Sequence, residues 1–308
     1  MVEKRKEIDK TKYFFDERTV KKTFGKKTEE KPSRNENKKK LEKKSQNALK
    51  DPKFLNKKDN DLLAVMNKPS SIVELKEQVV SSKREVLSFE ERLTEFFGKP
   101  AICVANGTAA LHLACQSIGI KSGDEVLVPS LTYVASFQAI SATGANPIPC
   151  DINSGTLSLD WRDAEKRVTK KTKAIMPVHY AGGVGDIDSI YEFAKKYKLR
   201  VIEDAAHAFG SHHNGILVGS NSDLACFSFD GIKNITSGEG GCIVSKDEKE
   251  INYIKDARLL GVHKDSAKRY KNSRSWELDV FNQGWRYHMS NIMAAIGIEQ
   301  LKKFPTAL

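Results

Sequence analysis

Seven short apolar runs, separated by segments with helical spacing, constrain the fold of this chain more than any other feature. The runs span residues 101–105, 124–130, 146–152, 172–178, 200–205, 224–229 and 240–245. Their length suits strands and is too short for ordinary helices. Strands that alternate with helices predict an α/β fold with a seven-stranded, mostly parallel sheet and flanking helices.

Apolar residues at helical spacing support the alternation. One set is Leu111, Ala114, Cys115 and Ile118; a second is Ile187, Ile190, Tyr191 and Ala194; a third, near the end of the chain, is Met289, Ile292, Met293 and Ile296. The last two apolar runs are joined only by residues 230–239, which is too short for a parallel crossover. One antiparallel strand is therefore expected in the sheet.

The basic surplus of the chain belongs to its beginning. Residues 1–60 carry 21 Lys and Arg against 11 Asp and Glu, which accounts for +10 of the net charge of +11. We expect residues 1–68 to form a basic extension, disordered or loosely helical, and residues 69–308 to form the folded domain. Attraction of this extension to RNA or to an anionic membrane stays open. The nearly balanced remainder predicts no nucleic-acid binding by the core.

Targeting and redox features point to the cytoplasm. The start of the chain lacks the apolar core of roughly 7 to 15 residues that a secretory signal needs, and no later run is long and apolar enough to span a membrane. The five cysteines are odd in number, form no CxxC pair and lie in apolar stretches. Reduced, buried thiols of a cytoplasmic protein fit this usage.

Polar residues that follow the predicted strands are the place to seek a ligand site, since ligands of open α/β sheets gather at the carboxyl ends of strands. Asn106, Gly107 and Thr108 open a helix whose free N–H groups favour an anion; an ordinary turn with an N-cap is the alternative. Asp204 ends a buried strand, where it either caps a following helix or pairs with a cationic ring nitrogen. His207 shares its face if a helix begins there.

Lys233 occupies the corresponding place after the run at 224–229. An amine nucleophile must be neutral, and partial burial beside other cations lowers the pKa of a lysine. Ser228, at the end of that run, offers a hydroxyl suited to phosphate. A solvated lysine in a glycine-bearing loop is the alternative. A phosphate-binding helix start, a buried acid and a strand-end lysine, in that order, are the parts that an enzyme using pyridoxal 5′-phosphate (PLP) requires.

Six motifs extend the pattern over residues 70–304, in the order ANGTAALHLA, GDEVLVPSLTYVAS, TKAIMPVHYAG, VIEDAAHAFGS, CFSFDGIKNITSGEGG and GWRYHMSNIMAAIGIEQL. With them the chain closely resembles the DegT/DnrJ/EryC1/StrS family of sugar-nucleotide aminotransferases. The resemblance implies PLP as cofactor and the PLP-dependent transferase fold of type I, which is the fold of aspartate aminotransferase. No metal is implied.

The resemblance also implies a role for each candidate residue. Lys233 is the lysine that binds PLP covalently and later transfers protons, and Asp204 pairs with the pyridinium nitrogen. Tyr133 is similar to the aromatic residue that stacks on the ring, and His207 holds the position beside it. The phosphate cradle resembles that of the family at Gly107, Thr108 and Ser228.

One motif departs from the family, which often has GYNYRM where this chain has GWRYHM. That segment commonly reaches the cofactor phosphate of the neighbouring subunit, so Arg286 or His288 takes the place of an asparagine. The resemblance therefore implies a homodimer whose active sites lie at the subunit interface. Family members continue beyond the helix that closes near Phe304, and we expect their small C-terminal domain to be largely missing here.

The implied reaction is transfer of an amino group, with glutamate as donor, to a keto-sugar nucleotide of the 4-keto-6-deoxyhexose type, for surface polysaccharide or a related glycan. The alternative is a catalytically weak remnant that acts as a cofactor-binding or regulatory module. A PLP-dependent sugar dehydratase is disfavoured because that variant resembles the family but has a histidine where this chain has Lys233. A metal site at His207, His212 and His213 lacks a recognised zinc spacing, and an exposed loop is expected to hold His212 and His213. No GxGxxG follows the first strand to bind a nicotinamide cofactor.

Overall fold

The computed structural model describes residues 84–262 and 279–307. The extension predicted over residues 1–68 lies outside the described residues, so its boundary with the domain at 69–308 stays a prediction. All seven predicted strands lie inside them.

The described elements follow one another as α1 (Arg84–Phe97), β1 (Ala101–Val104), α2 (Gly107–Ser117), β2 (Glu125–Pro129), α3 (Val134–Ser141), β3 (Asn146–Cys150), α4 (Trp161–Lys166), β4 (Thr172–Ile175), a 3₁₀ turn (Tyr180–Gly182), α5 (Ile187–Tyr197), β5 (Arg200–Asp204), β6 (His212–His213), β7 (Ile216–Leu217), β8 (Leu224–Ser228), β9 (Gly241–Ser245), α6 (Glu248–Ala257) and α7 (Asn291–Ala307). Each predicted apolar run contains one strand of the main sheet, which confirms the strand predictions. The loop predicted around His212 and His213 is wrong, because these residues form the short strand β6 paired with β7.

The main sheet has the strand order β1-β9-β8-β5-β4-β2-β3. Strand β9 is antiparallel to both of its neighbours, whereas β8, β5, β4, β2 and β3 are parallel. The antiparallel strand follows from the short connection after β8, as the sequence predicts. Because β9 runs in the opposite direction, its first residue lies at the same edge of the sheet as the carboxyl ends of β5 and β8.

The central strands are buried on both faces, which explains their continuous apolar runs. Every residue of β8 and β9 is buried. One face packs on α2, of which Leu111, Ala114 and Cys115 are buried as predicted, whereas Ile118 is the residue that caps its C-terminus. The other face carries a cluster of phenylalanines, namely Phe89, Phe97, Phe209, Phe227 and Phe229.

The last predicted helix is present but begins later than its apolar spacing indicates. Helix α7 begins at Asn291, so Met289 precedes it and is buried beneath its first turn. Ile292 and Ile296 are 65% and 42% exposed, so this part of the predicted stripe faces outward. Among the described helices, none has the length and apolar character of a membrane span.

Candidate active site

The first turn of α2 and the end of β8 meet at the carboxyl edge of the sheet. A Cβ atom built on Gly107 would lie 2.9 Å from the Cβ of Ser228, so the backbone of Gly107 rests directly against the Ser228 side chain. A Cβ atom built on Gly241 would lie 2.7 Å from the backbone of Asn106, so the start of β9 packs against the same corner. Two predicted cradle residues, Gly107 and Ser228, are thereby brought together; only glycine permits so close an approach.

The N-terminus of α2 has both the cap and the free donors that the sequence left as alternatives. Asn106 Oδ1 accepts a hydrogen bond from the N–H of Ala109 at 2.8 Å, which is the N-cap. Within the described ranges, the N–H groups of Gly107 and Thr108 have no hydrogen-bond acceptor. Thr108 itself is exposed. Two unsatisfied N–H groups at a helix N-terminus, beside a serine hydroxyl, fit a phosphate group.

The carboxylate of Asp204 is buried at the end of β5, with 5% of the residue exposed. Its Oδ2 accepts a hydrogen bond from Ser136 Oγ at 2.7 Å, and its Oδ1 accepts one from the N–H of Ala206 at 3.2 Å. Residues 205–210 form turns and not a helix. The alternative that Asp204 caps a helix is therefore wrong, and the condition for His207 to share its helical face is not met. Each carboxylate oxygen keeps a lone pair for a cationic N–H group.

The imidazole of His207 is influenced by the charges of both Lys233 and Asp204. Burial and the charge of Lys233 lower the pKa of His207, and the charge of Asp204 opposes them. Its Nδ1 accepts a hydrogen bond from the N–H of Ala181 at 3.3 Å. An amide N–H can only donate, so the neutral ring must carry its proton on Nε2. The turn at Tyr180–Gly182 thus sets the tautomer of His207.

The half-buried Lys233 sits on a turn whose backbone is held at several points. Its N–H donates to the carbonyl of Asp230 at 3.0 Å, and the side-chain amide of Asn234 donates to the carbonyl of Phe209 at 3.0 Å. Ile235 is 1% exposed and anchors the loop in the core. The loop between β8 and β9 therefore presents the amine of Lys233 from a fixed base, unlike a solvated surface lysine.

Tyr133 and the segment that carries Arg286 flank this group. Tyr133 precedes α3 and is 75% exposed, which leaves its ring uncovered. The carbonyl of Tyr287 accepts from the N–H of Ala105 at 2.6 Å, so the segment runs beside the end of β1. Arg286 is exposed. Burial, and the charges of Arg286 and Arg258, lower the pKa of the half-buried His288. Stacking by Tyr133 and phosphate contact by Arg286 or His288 stay predictions.

Sequence reasoning missed the hydroxyl groups of Thr132 and Ser136. Ser136 is 0% exposed and contacts Asp204, and its Oγ lies 2.7 Å from Thr132 Oγ1. Both residues belong to the PSLTYVAS motif, and both follow the carboxyl end of a predicted strand. Their position after a predicted strand could therefore have marked them as candidate site residues. The sequence could not have shown that the partner of Ser136 is Asp204, 68 residues away.

A cavity of about 500 Å³ lies on the opposite face of β5 from Asp204, and Tyr191, Glu203 and His213 are among its lining residues. His213 Nε2 is 2.9 Å from Asp188 Oδ2. In the part of the chain that the structure describes, no group of three His, Cys, Asp or Glu residues could hold a metal ion. His212 and His213 therefore belong to the hairpin β6–β7 and do not join His207 at the site.

Comparisons with known proteins identify the family of the chain. Residues 70–308 match the model of the DegT/DnrJ/EryC1/StrS aminotransferase family. GDP-perosamine synthase of Caulobacter vibrioides is 44% identical over 227 residues, which are 73% of this chain and 58% of that protein. PseC of Helicobacter pylori, an aminotransferase involved in the biosynthesis of pseudoaminic acid, has a TM-score of 0.68 at 30% identity, covering 82% of this chain and 64% of that one.

Spr1654 of Streptococcus pneumoniae, in its pyridoxamine phosphate (PMP) form, has a TM-score of 0.68 at 33% identity, covering 72% of this chain and 61% of that one. A PLP form of the same protein is also similar. These findings confirm the predicted family, the type I fold of PLP-dependent transferases, and PLP as the cofactor of the family. The chain spans about 60% of the length of the curated relatives it matches.

Proposed function

Because the chain belongs to the DegT/DnrJ/EryC1/StrS aminotransferase family, we propose that it binds PLP through Lys233 and transfers an amino group to a sugar nucleotide. The observation that carries the proposal is the position of Asp204, which ends β5 beside β8, while the end of β8 holds Ser228 against Gly107 and leads into the loop of Lys233. When bound, PLP supplies the electron sink that makes amino transfer feasible.

Different residues of the site bind the cofactor and transfer protons. The free N–H groups of α2 and the hydroxyl of Ser228 bind the phosphate, with Thr108 beside them. Asp204 would hold a proton on the ring nitrogen of a bound cofactor, and the ring of Tyr133 would stack on the cofactor ring. The amine of Lys233 holds the cofactor and moves a proton within the site. His207, with its proton on Nε2, would donate a hydrogen bond to an acceptor beside the cofactor ring.

The class of sugar substrate that we propose is based on the names of the relatives. The name GDP-perosamine synthase and the role of PseC support a keto-sugar nucleotide, for which we propose the 4-keto-6-deoxyhexose class, with glutamate as donor. The product would enter a surface polysaccharide or a related glycan. Five free, buried thiols support a cytoplasmic enzyme.

We further propose a homodimer with active sites at the subunit interface. The exposed Arg286, with the neighbouring His288, would contact the partner's phosphate, a charge-assisted interaction that a monomer would leave unused. The domain at residues 69–308 would supply this interface.

Borohydride reduction of the PLP-loaded protein, followed by peptide mapping, tests the proposal. We expect a yellow protein with the label on Lys233 and no label after Lys233→Ala. Lys99 is the matched control, because it is also half-buried and burial lowers its pKa; Lys99→Ala should keep the label. A label on Lys99 would contradict the assignment. Uptake of PLP without amino transfer from glutamate would favour the cofactor-binding module instead.

A further inference from the structure

Two consecutive hydrogen bonds lead from the start of α3 to the carboxylate of Asp204. Thr132 Oγ1 lies 2.7 Å from Ser136 Oγ, which lies 2.7 Å from Asp204 Oδ2. Ser136 is 0% exposed and Asp204 is 5% exposed. Water therefore does not compete for the bond between Ser136 and Asp204, and the bond persists only while the fold holds α3 against the end of β5.

The direction of these hydrogen bonds follows from the chemistry of the groups. An ionised carboxylate only accepts, so Ser136 must use its single hydroxyl proton toward Asp204. The Ser136 oxygen can then only accept from Thr132. The protons are therefore ordered from Thr132 to Ser136 to Asp204, and each bond polarises the next.

The second carboxylate oxygen is held independently. The N–H of Ala206 donates to Asp204 Oδ1 at 3.2 Å. With one donor on each oxygen, the plane of the carboxylate is fixed. A fixed, charged carboxylate is what a cationic ring nitrogen needs as a partner.

We propose that Ser136 is a positioning residue, which orients the carboxylate of Asp204 toward the cofactor ring nitrogen, with Thr132 ordering the Ser136 hydroxyl. This inference rests on the proposed binding of PLP at the site. It adds two residues that sequence reasoning did not assign, and it gives α3 a part in the chemistry besides carrying Tyr133 at its start.

The chain contains a matched control for this contact. Ser245 is 0% exposed and donates to Glu250 Oε2 at 2.6 Å, so it is another buried serine bound to a buried carboxylate. Ser245 pairs with Leu224, the first residue of β8, and therefore lies at the edge of the sheet opposite to the site. Removal of its hydroxyl tests the cost of such a bond without touching the cofactor.

The experiment loads the full chain with PLP labelled with ¹⁵N in the ring and follows the nitrogen shift by NMR as a function of pH. Loss of the Ser136 hydroxyl leaves the carboxylate of Asp204 held only at Oδ1, by the N–H of Ala206. A carboxylate that can turn away from the ring nitrogen stabilises its protonated form less, so the ring nitrogen of Ser136→Ala should lose its proton at a lower pH than in the wild type. Thr132→Val should give a smaller shift in the same direction. Ser136→Thr should restore the wild-type titration, and Ser245→Ala should leave it unchanged.

The outcomes test separately the role of Ser136, the role of Thr132 and the binding of PLP. Identical titrations of Ser136→Ala and the wild type overturn the role of Ser136, even if the variant is less active. Should Ser136→Ala not fold, Ser136→Cys replaces it, because a thiol is close to the hydroxyl in size but is a weak donor, and a wild-type titration of that variant overturns the role of Ser136. An unshifted titration of Thr132→Val overturns only the part assigned to Thr132. A wild-type protein that takes up no PLP overturns the proposed function itself, so the two failures are distinct.

Discussion

At the scale of single residues, the site depends on groups that are buried and yet paired. Asp204 accepts from Ser136 and Ala206, and the N–H of Ala181 fixes the tautomer of His207. A buried polar group without a partner costs free energy, so each of these contacts stabilises the fold as well as orienting the group. Changes that keep the shape but alter the charge should therefore separate stability from chemistry.

Asp204→Asn is the residue-scale prediction. The amide has the size of the carboxylate, and its oxygen can still accept from Ser136 or Ala206, so the thermal midpoint should change little. An amide cannot stabilise a protonated ring nitrogen, so turnover should fall by roughly a hundredfold or more, the scale on which a preorganised electrostatic partner acts. Thermal unfolding and the rate of the half-reaction with glutamate measure the two effects. Near-normal turnover would show that Asp204 is structural only.

At the scale of elements, the corner between α2 and β8 exists because a glycine opens the helix. The N–H groups of Gly107 and Thr108 remain available only if the first turn can rest against Ser228. The loop after β8 contributes in the same way, because Ile235 and Asn234 fix the base from which Lys233 extends. The chemistry is thus presented by rigid element ends.

Gly107→Ala tests this corner. The new methyl group would lie 2.9 Å from Ser228 Cβ, closer than such contacts allow, so α2 or β8 must move apart. We expect PLP affinity to fall at least tenfold, because the phosphate loses its aligned donors, with a smaller loss of thermal stability. The control is Gly155→Ala, where the nearest atom is the flexible side chain of Asn153 at 3.3 Å. Equal PLP affinities for the two variants would contradict the cradle.

At the scale of the whole molecule, burial of ionisable groups makes the stability depend on pH. Burial is the first cause that lowers the pKa values of His112, His207 and His288. Burial also raises the pKa of Cys115 and Cys150 to about 12. The folded chain should therefore resist proton uptake near pH 6 and resist proton loss above pH 9, relative to the unfolded chain.

The resulting prediction is a fall in stability on acidification. For a histidine whose folded pKa lies below its unfolded value of about 6.5, the unfolded state binds more protons as the pH falls, so the free energy of unfolding decreases below that pH. Chemical unfolding at pH 7.5, 6.5 and 5.5 measures the slope. His112→Phe, which removes one such group, should flatten it. A protein that becomes more stable toward pH 5.5 would rule out this account.

The sequence by itself determined the seven strands of the main sheet, the antiparallel strand among them, the order of the motifs and the family. The strands follow from local periodicity, and the antiparallel strand follows from the length of the connection after β8. The family follows from the resemblance of six motifs, which include Asp204 and Lys233. The sequence left the structure of residues 205–210 open, because the choice between a helix and a turn there depends on packing that no local pattern encodes.

Only the tertiary structure decided which polar groups share a partner. Ser136 meets Asp204, and Gly107 meets Ser228, across long separations in the chain, because parallel strands bring their carboxyl ends to one edge and carry the following helices with them. Distances of this kind depend on the register and packing of whole elements. A spacing along the sequence can place a residue at that edge, but it cannot say which neighbour its hydrogen bond reaches.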